Sequence, residues 1–278
     1  MNKNYPPFSV LMSLYIKEQP AFLDQCLESL FNQSLQADEV VIVLDGPITQ
    51  EHKKTLKKWE DKLPLILLPQ EYNQGLGIAL NIGLKACSNE VVFRMDTDDI
   101  CTQDRFEQQL NYLIDNPKID ILSCTIEEFD KAPGDLRQFR KAPTHKDIES
   151  YIALKNPINH MGVVYKKSKI INIESYQPLE YMEDYSLWLR SYDSGLYIDN
   201  INECLIHARI GNGMLERRKG INYIKSEWLL HQLKLKSLRG HNKFKLLLIF
   251  ILRASIRITP KTFIAKLYKM NRSKANPS

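Results

Sequence analysis

The sequence contains no Cys-x-x-Cys pair and no cluster of histidines. Its five cysteines, Cys26, Cys87, Cys101, Cys124 and Cys204, are odd in number and widely scattered, which argues for a reducing cytosol and against a zinc site. No apolar run approaches the ~20 residues of a membrane-spanning helix. Residues Met1 to Pro7 hold one lysine and no apolar core, so no secretory signal is expected. These absences predict a cytoplasmic protein. Acidic residues are missing from one end: none follows Glu227, whereas twelve lysines and arginines do. Up to Glu227 the chain carries 26 basic and 33 acidic residues, a net of −7, against +12 for the remainder. Such segregation predicts a basic appendage that meets an anionic surface, with the inner leaflet of the cytoplasmic membrane as the expected partner. No nucleic-acid partner is expected.

What is present is an ordinary globular composition, 278 residues with 44% hydrophobic and 26% charged, enough to bury a full core. Strand-like and helix-like segments alternate. Phe8 to Tyr15 reads as a strand, Ala21 to Asn32 as a helix, Val40 to Leu44 as a strand that stops at the turn Asp45-Gly46-Pro47, and Glu51 to Lys62 as a charged helix. Leu65 to Leu68, a glycine-bearing segment from Asn73 through Gly75 and Gly77 into a helix, and the strand from Val91 complete a β-α-β-α-β-α-β series. This predicts an α/β, Rossmann-like, mostly parallel twisted sheet with helices on both faces. Thr102 is the expected N-cap of a helix bearing Phe106, Leu110, Leu113 and Ile114, Ile119 to Phe129 an expected strand, and Lys131 to Pro143 a loop or short hairpin. Met161 to Tyr165 reads as a further strand, with His160 at its entrance either touching substrate or satisfied by backbone. The expected domains are a catalytic unit over 1–225 and a basic, partly apolar helical region over 226–278. Within the latter, Leu246 to Leu252 flanked by Lys243, Lys245, Arg253 and Arg257 is too short to span a bilayer. It either lies in the headgroup region or packs on the catalytic unit.

Folding alone accounts poorly for the strand Val91 to Asp99, an apolar run ending in three carboxylates, Asp96, Asp98 and Asp99. Ionised carboxylates are stable only at the solvated end of such a strand, and in open α/β sheets that end is where ligands bind. Asp96 and Asp98, two residues apart, point to one side of an extended chain. A hard cation, Mg²⁺ or Mn²⁺, fits between them and would complete its shell with water and phosphate oxygens; the competing reading is a polar turn before the next helix. Asp45 ends a neighbouring strand and Tyr15 and Glu18 follow the first, so a polar pocket and a metal site share one edge. Gly75 and Gly77 lack the third glycine of a dinucleotide fingerprint. In the segment Glu180 to Arg190, Glu183 and Asp184 either suit the positive end of a helix or contribute to chemistry.

Taken together, Phe8 to Tyr15, Val43-Leu44-Asp45-Gly46, the Asn73-x-Gly75-x-Gly77-x-Ala79-x-Asn81-x-Gly83 run, Arg94-Met95-Asp96-Thr97-Asp98-Asp99 and Glu183-Asp184 resemble family 2 glycosyltransferases over residues 8 to 215. The Asp104-Arg105 that follows is similar to bacterial enzymes of O-antigen or exopolysaccharide assembly. This resemblance implies a GT-A fold and an inverting transfer of sugar from a nucleotide-diphospho-sugar, a UDP-sugar being favoured, to a hydroxyl of a glycan or lipid-linked glycan. It implies Asp45 at the nucleobase, Asp96 near the ribose and the metal's water shell, Asp98 on the metal, and Asp184 as the base. Tyr15, Glu18, Asn73, Gly75, Thr97 and Glu183 would complete the donor site. Arg94 would pair with a carboxylate or reach the substrate, and Arg217 and Arg218 sit where relatives have a basic loop over the diphosphate. The family's processive members carry Gln-x-x-Arg-Trp, which is missing here, so single-sugar transfer is expected. Two other functions remain open. A sugar-phosphate nucleotidyltransferase would need a Gly-rich basic signature where Tyr15-Ile16-Lys17-Glu18-Gln19 stands, and a non-catalytic membrane scaffold would show no metal-dependent nucleotide binding.

Overall fold

The computed structural model describes residues 5–210 and 220–258. Strands β1 (Phe8–Leu14), β2 (Glu39–Leu44), β3 (Leu65–Pro69) and β4 (Val91–Arg94) alternate with helices α1 (Pro20–Phe31), α2 (Gln50–Trp59) and α3 (Leu76–Ala86). The four strands are parallel in the order β3-β2-β1-β4. Their side chains alternate between two apolar cores. Val10, Met12 and Leu14 with Val40, Ile42 and Phe93 join Leu23 and Leu27 of α1 and Leu56 of α2, while Leu11, Val41 and Val92 join Leu80 and Leu84 of α3 on the other face. The expected α/β architecture with helices on both faces is therefore present.

Beyond β4 the sheet is mixed. Strand β8 (Val164–Lys166) runs antiparallel between β4 and β6 (Ile121–Phe129), β6 pairs in parallel with β9 (Ile198–Arg209), and β5 (Ile100–Cys101) closes the edge against β9. Strand β7 (Gln138–Arg140) folds back on β6, so the polar stretch from Lys131 contains a short hairpin. Two expectations are corrected. Thr102 does not cap α4 (Arg105–Asp115): it belongs to the β5 edge, where its N–H donates to the Leu205 carbonyl at 3.1 Å, and Asp104 takes the N-cap position without a side-chain cap bond. The strand expected from Met161 starts only at Val164, because His160–Gly162 forms a 3-10 turn. Asn159 Nδ2, just before that turn, donates to the Cys124 and Arg140 carbonyls, and Gln109 Nε2 donates to the carbonyl of Gly162 at its end. Strands β5 and β9 have no counterpart among the expected strands; the pairing of β9 with β6 shifts register on either side of Thr125.

Helices α5 (Ile148–Ile152), α6 (Lys167–Asn172) and α7 (Glu183–Asp193) cover one face, and α7 packs against α8 (Ile221–Ser237), which packs against α9 (Lys243–Ile258). Residue 225, where the domain boundary is expected, lies within α8. Tyr223, Leu230, Leu238 and Leu246 join the same core as Leu187 and Trp188. Of the run Leu246 to Leu252, Leu246 is buried and Leu247, Leu248, Ile251 and Leu252 are exposed.

Candidate active site

Parallel strands β1, β2 and β4 end along one sheet edge, so Tyr15, Asp45 and Asp96 follow adjacent strand ends. Asp45 is buried, and its carboxylate gathers the glycine segment: Oδ1 accepts from Gln74 N at 2.7 Å, and Oδ2 from Asn73 Nδ2 at 2.9 Å and Gly75 N at 3.1 Å. The expected nucleobase acid thus shapes the loop that enters α3. Gly46 makes this approach possible. Its φ is +87°, and an added Cβ would stand 2.7 Å from Asn73 N. Gly46→Ala should therefore cost roughly 1–3 kcal/mol of stability and weaken nucleotide binding, measured by thermal melting and calorimetric titration; a wild-type melt and affinity would contradict the close approach.

The acidic loop is held from below. Arg94, buried in β4, forms a two-bond ion pair with Asp96, its Nη1 donating to Oδ2 at 2.7 Å and its Nη2 to Oδ1. The fully buried Arg105 donates from Nη2 to the Arg94 carbonyl at 2.9 Å. Thr97 Oγ1 donates to Glu18 Oε2 at 3.1 Å, joining the loop to the end of β1, and His52 Nε2 meets the Glu18 carbonyl at 2.8 Å. Asp99 Oδ1 accepts from Arg209 N at 2.8 Å, and Arg209 Nε donates to the Asp98 carbonyl at 3.1 Å. The Arg209 guanidinium lies between the rings of Phe22 and Phe129, 3.8 and 4.4 Å from their centroids.

Asp98 collects what this bracing leaves over. Burial, then the charges of Asp96 and Glu18, pushes its carboxyl up to about 7. Burial and the charges of Asp98 and Asp96 also push Asp99 well up, and Asp99 Oδ2 has no hydrogen-bond partner among the described residues. Among the described residues no three His, Cys, Asp or Glu side chains form a metal cage by themselves. Crowded hard oxygens without a complete cage suit a cation that takes one or two carboxylates and substrate phosphates, so the donor set fits Mg²⁺ or Mn²⁺.

Across the site, Glu183 and Asp184 open α7. Asp184 is half-buried; Oδ2 accepts from Asn156 Nδ2 at 2.7 Å and Oδ1 from Tyr185 N at 2.7 Å. A carboxylate has about four lone-pair sites, so both oxygens keep acceptor capacity. Burial raises its pKa, and the charges of Arg140 and Arg94 oppose that rise. The two halves of the site are latched together. Asn81 of α3 exchanges bonds with the Tyr176 backbone at 2.7 and 2.9 Å, and a Cβ on Gly77 would lie 3.3 Å from Glu183 Cγ. Tyr176 Oη meets His160 Nε2 at 2.9 Å, so the histidine at the turn is satisfied by a buried side chain rather than by backbone.

Burial, together with Asp184, raises Glu183 to about 7. Above the unfolded value of 4.5, the folded chain holds a proton that the unfolded chain has lost, so this group's contribution to stability falls as pH rises from about 4.5 through 7. Glu183→Gln should remove a decline on the order of 2 kcal/mol over that interval, read from denaturant unfolding at several pH values. Parallel curves for both proteins would refute the assignment.

The model of the family described as "Glycosyl transferase family 2" matches residues 9–170. The chain is a family 2 glycosyltransferase. It is 44% identical over 265 residues to the amylovoran biosynthesis glycosyltransferase AmsE of Erwinia amylovora, covering 95% of this chain and 99% of that one. It is 35% identical over 273 residues to the UDP-Gal:alpha-D-GlcNAc-diphosphoundecaprenol beta-1,3-galactosyltransferase of Escherichia coli, covering 97% and 98%. Its fold is that of S. aureus TarS 1-349 in complex with UDP-GlcNAc, with TM-score 0.69 and 20% identity over 89% of this chain and 72% of that one. The mannosyltransferase PcManGT of Pyrobaculum calidifontis, in complex with GDP-Man and Mn²⁺, gives TM-score 0.65 and 16% identity over 96% and 80%. The fold is GT-A.

Glu18, Arg94, Asp96, Thr97 and Asp98 of this glycosyltransferase meet at the acidic loop, Asp45, Asn73 and Gly75 form the segment that enters α3, and Glu183 and Asp184 open α7, Asp184 within reach of the Arg94 charge. Tyr15 is half-buried at the end of β1. Arg217 and Arg218 lie outside the described residues. Asn156, Tyr176 and Arg209 are not among the site residues read from the sequence, and Arg105 enters there only within the Asp104-Arg105 resemblance; Asn156 has a local signal in the Asn-Pro turn where it sits.

Proposed function

We propose that this glycosyltransferase moves one sugar, with inversion, from a UDP-sugar to a hydroxyl of a lipid-linked glycan on the cytoplasmic side of the membrane. The observation that supports this reading is the latch between α3 and the start of α7, Asn81 bonded to the Tyr176 backbone and Gly77 against Glu183, beside which Asp184 keeps acceptor capacity on both oxygens. Asp184 takes the proton as the acceptor oxygen forms its bond to the sugar C1; the C1–oxygen bond to the diphosphate breaks, and the electron pair leaves with the nucleoside diphosphate. Asn156 holds Asp184 in place through Oδ2. Asp98, with Asp96 beside it, would hold Mg²⁺ or Mn²⁺, which when bound supplies neutralisation of the departing diphosphate. Asp45 presents the Asn73 to Gly75 loop to the nucleobase, with Tyr15 and Glu18 flanking it. Arg217 and Arg218 are assigned to the diphosphate on charge and chain position alone. The UDP-GlcNAc held by the TarS structure supports the donor class, and the diphosphoundecaprenol in the galactosyltransferase's name supports a lipid-linked acceptor.

A panel of nucleotide sugars with Mn²⁺ or Mg²⁺, scored for donor hydrolysis and for transfer to a diphosphate-lipid glycan, tests the reading. One UDP-sugar should turn over, and the anomeric configuration of the product should be opposite to that of the donor. No turnover and no metal-dependent nucleotide binding would favour a scaffold. Release of pyrophosphate from a nucleoside triphosphate and a sugar phosphate would identify a nucleotidyltransferase.

A further inference from the structure

Helix α9 turns two of its arginines inward and leaves an apolar stripe outside. Arg253 turns inward, donating from Nε and Nη2 to the two carboxylate oxygens of Glu227 at 2.7 and 2.8 Å, and Arg257 Nη2 adds a bond of 3.3 Å. Glu227 is only 2% exposed. Phe244, Leu247, Leu248, Ile251 and Leu252 recur at the spacing of one helical stripe and face outward, with Phe244 66%, Leu248 50% and Leu252 64% exposed. Trp228 and Leu229 of α8 are exposed as well, and the Trp228 ring meets Phe250 at 5.3 Å. A helix that ends its packing in water has the opposite arrangement.

The surroundings of this stripe select its occupant. Lys236, Arg239, Lys243 and Lys245 are exposed at the junction of α8 and α9, and no acidic residue follows Glu227. A two-fold contact with a second copy would set this basic rim against itself. An anionic surface with an apolar interior satisfies both the rim and the stripe. The 16-residue α9 is about 24 Å long at 1.5 Å per residue, and no helix among the described residues is long and apolar enough to cross a membrane.

We infer that the outward face of α9, with Trp228 and Leu229, docks on an anionic lipid bilayer, its apolar stripe in the headgroup region and its lysines on the lipid phosphates. The inner side of the same helix pair braces the acceptor half of the site. Lys234 Nζ donates to the Ala153 carbonyl at 2.9 Å and Arg253 Nη1 to the Leu154 carbonyl at 3.3 Å, on the segment that leads to Asn156. Tyr223 stacks on Tyr181 at 5.2 Å, just before Glu183. Docking therefore brings the Asp184 side of the site to the membrane, where a lipid-linked acceptor would lie.

The test needs no turnover, so its failure and that of the transfer reading are separately visible. Full-length protein is sedimented with phosphatidylcholine vesicles with and without phosphatidylglycerol. Binding should require the anionic lipid and weaken as salt rises. Leu248→Glu combined with Leu252→Glu should lower partition by at least ~10-fold with an unchanged melting temperature, because both positions are exposed. Lys243→Glu combined with Lys245→Glu leaves the stripe intact and should weaken binding independently. Transfer to a water-soluble acceptor should stay at the wild-type rate in both variants. Wild-type protein that stays in the supernatant with anionic vesicles, or wild-type partition in both variants, would overturn the proposal. So would a lipid-free dimer, seen by sedimentation velocity, that the leucine variant dissociates.

Discussion

Asp184→Asn should lower turnover by roughly 10²-fold or more, with donor binding largely preserved. The substitution keeps size, and an amide oxygen can still accept from Asn156 or Tyr185 N, the two bonds that orient the carboxylate at 2.7 Å each. What it removes is the ability to take a proton from the acceptor hydroxyl. Glu183 separates this chemical role from a helix-start role, because both acids open α7 and both favour its positive end. If the pair served only the helix, Asp184→Asn and Glu183→Gln would cost similar small amounts of stability and little rate. The catalytic role predicts asymmetry, with Glu183→Gln retaining most transfer at pH 8. Near-wild-type transfer by Asp184→Asn, measured with a competent acceptor, would exclude Asp184 as the base. A large loss in Asn156→Ala with normal donor affinity would agree with Asn156 orienting the carboxylate.

Asp98→Asn should abolish metal-dependent UDP binding, at least ~10²-fold in affinity, and leave the fold intact. The side chain sits among Asp96, Asp99 and Glu18, and crowding with burial raises its carboxyl to about 7. Removing that charge relieves repulsion in the metal-free protein, so the melting temperature at pH 8 should hold or rise. In the wild type, Mn²⁺ with UDP should raise the melting temperature by mass action, and in the variant it should not. Calorimetric titration of UDP with and without Mn²⁺ reads the difference directly. Unchanged affinity in Asp98→Asn would remove the metal assignment. Arg94→Met offers a contrast: it leaves Asp98 in place but deprives Asp96 of its buried partner, and should destabilise the protein as a broken buried ion pair does.

The elements around the donor edge were legible because their signals are local. Short, nearly continuous apolar runs from Phe8, Val40 and Val91, each ending at polar residues, mark strands buried on both faces. The carboxylates after Arg94 could be assigned to a strand end because burial of three ionised charges together is prohibitive; Asp96 and Asp98 keep partial exposure there, whereas Asp99 is buried and its carboxyl is pushed well up. Strand β9 offers no regular alternation to read, and its pairing with β6 shifts register on either side of Thr125. The 3-10 turn at His160–Gly162 is held by Gln109 and by Asn159 bonded to Cys124 and Arg140, contacts that no local pattern encodes.

The sequence by itself determined the α/β alternation, the edge on which the aspartates gather, the family, and the segregation of basic residues beyond Glu227. Each follows from composition, short motifs or the period of a single element. Tertiary structure decided which partner each charge has. Asp45 is engaged by a loop about thirty residues on, Asp184 by Asn156 on a separate segment, and Asp99 by the Arg209 backbone across 110 residues. It also decided which face of α9 is outside, because the run Leu246 to Leu252 is apolar on every side of the helix and its orientation is set by where Glu227 meets Arg253 and Arg257. The physical reason is common to both cases: a periodic pattern reports how one element meets water, whereas the partner of a buried charge depends on which distant element the fold brings within about 3 Å.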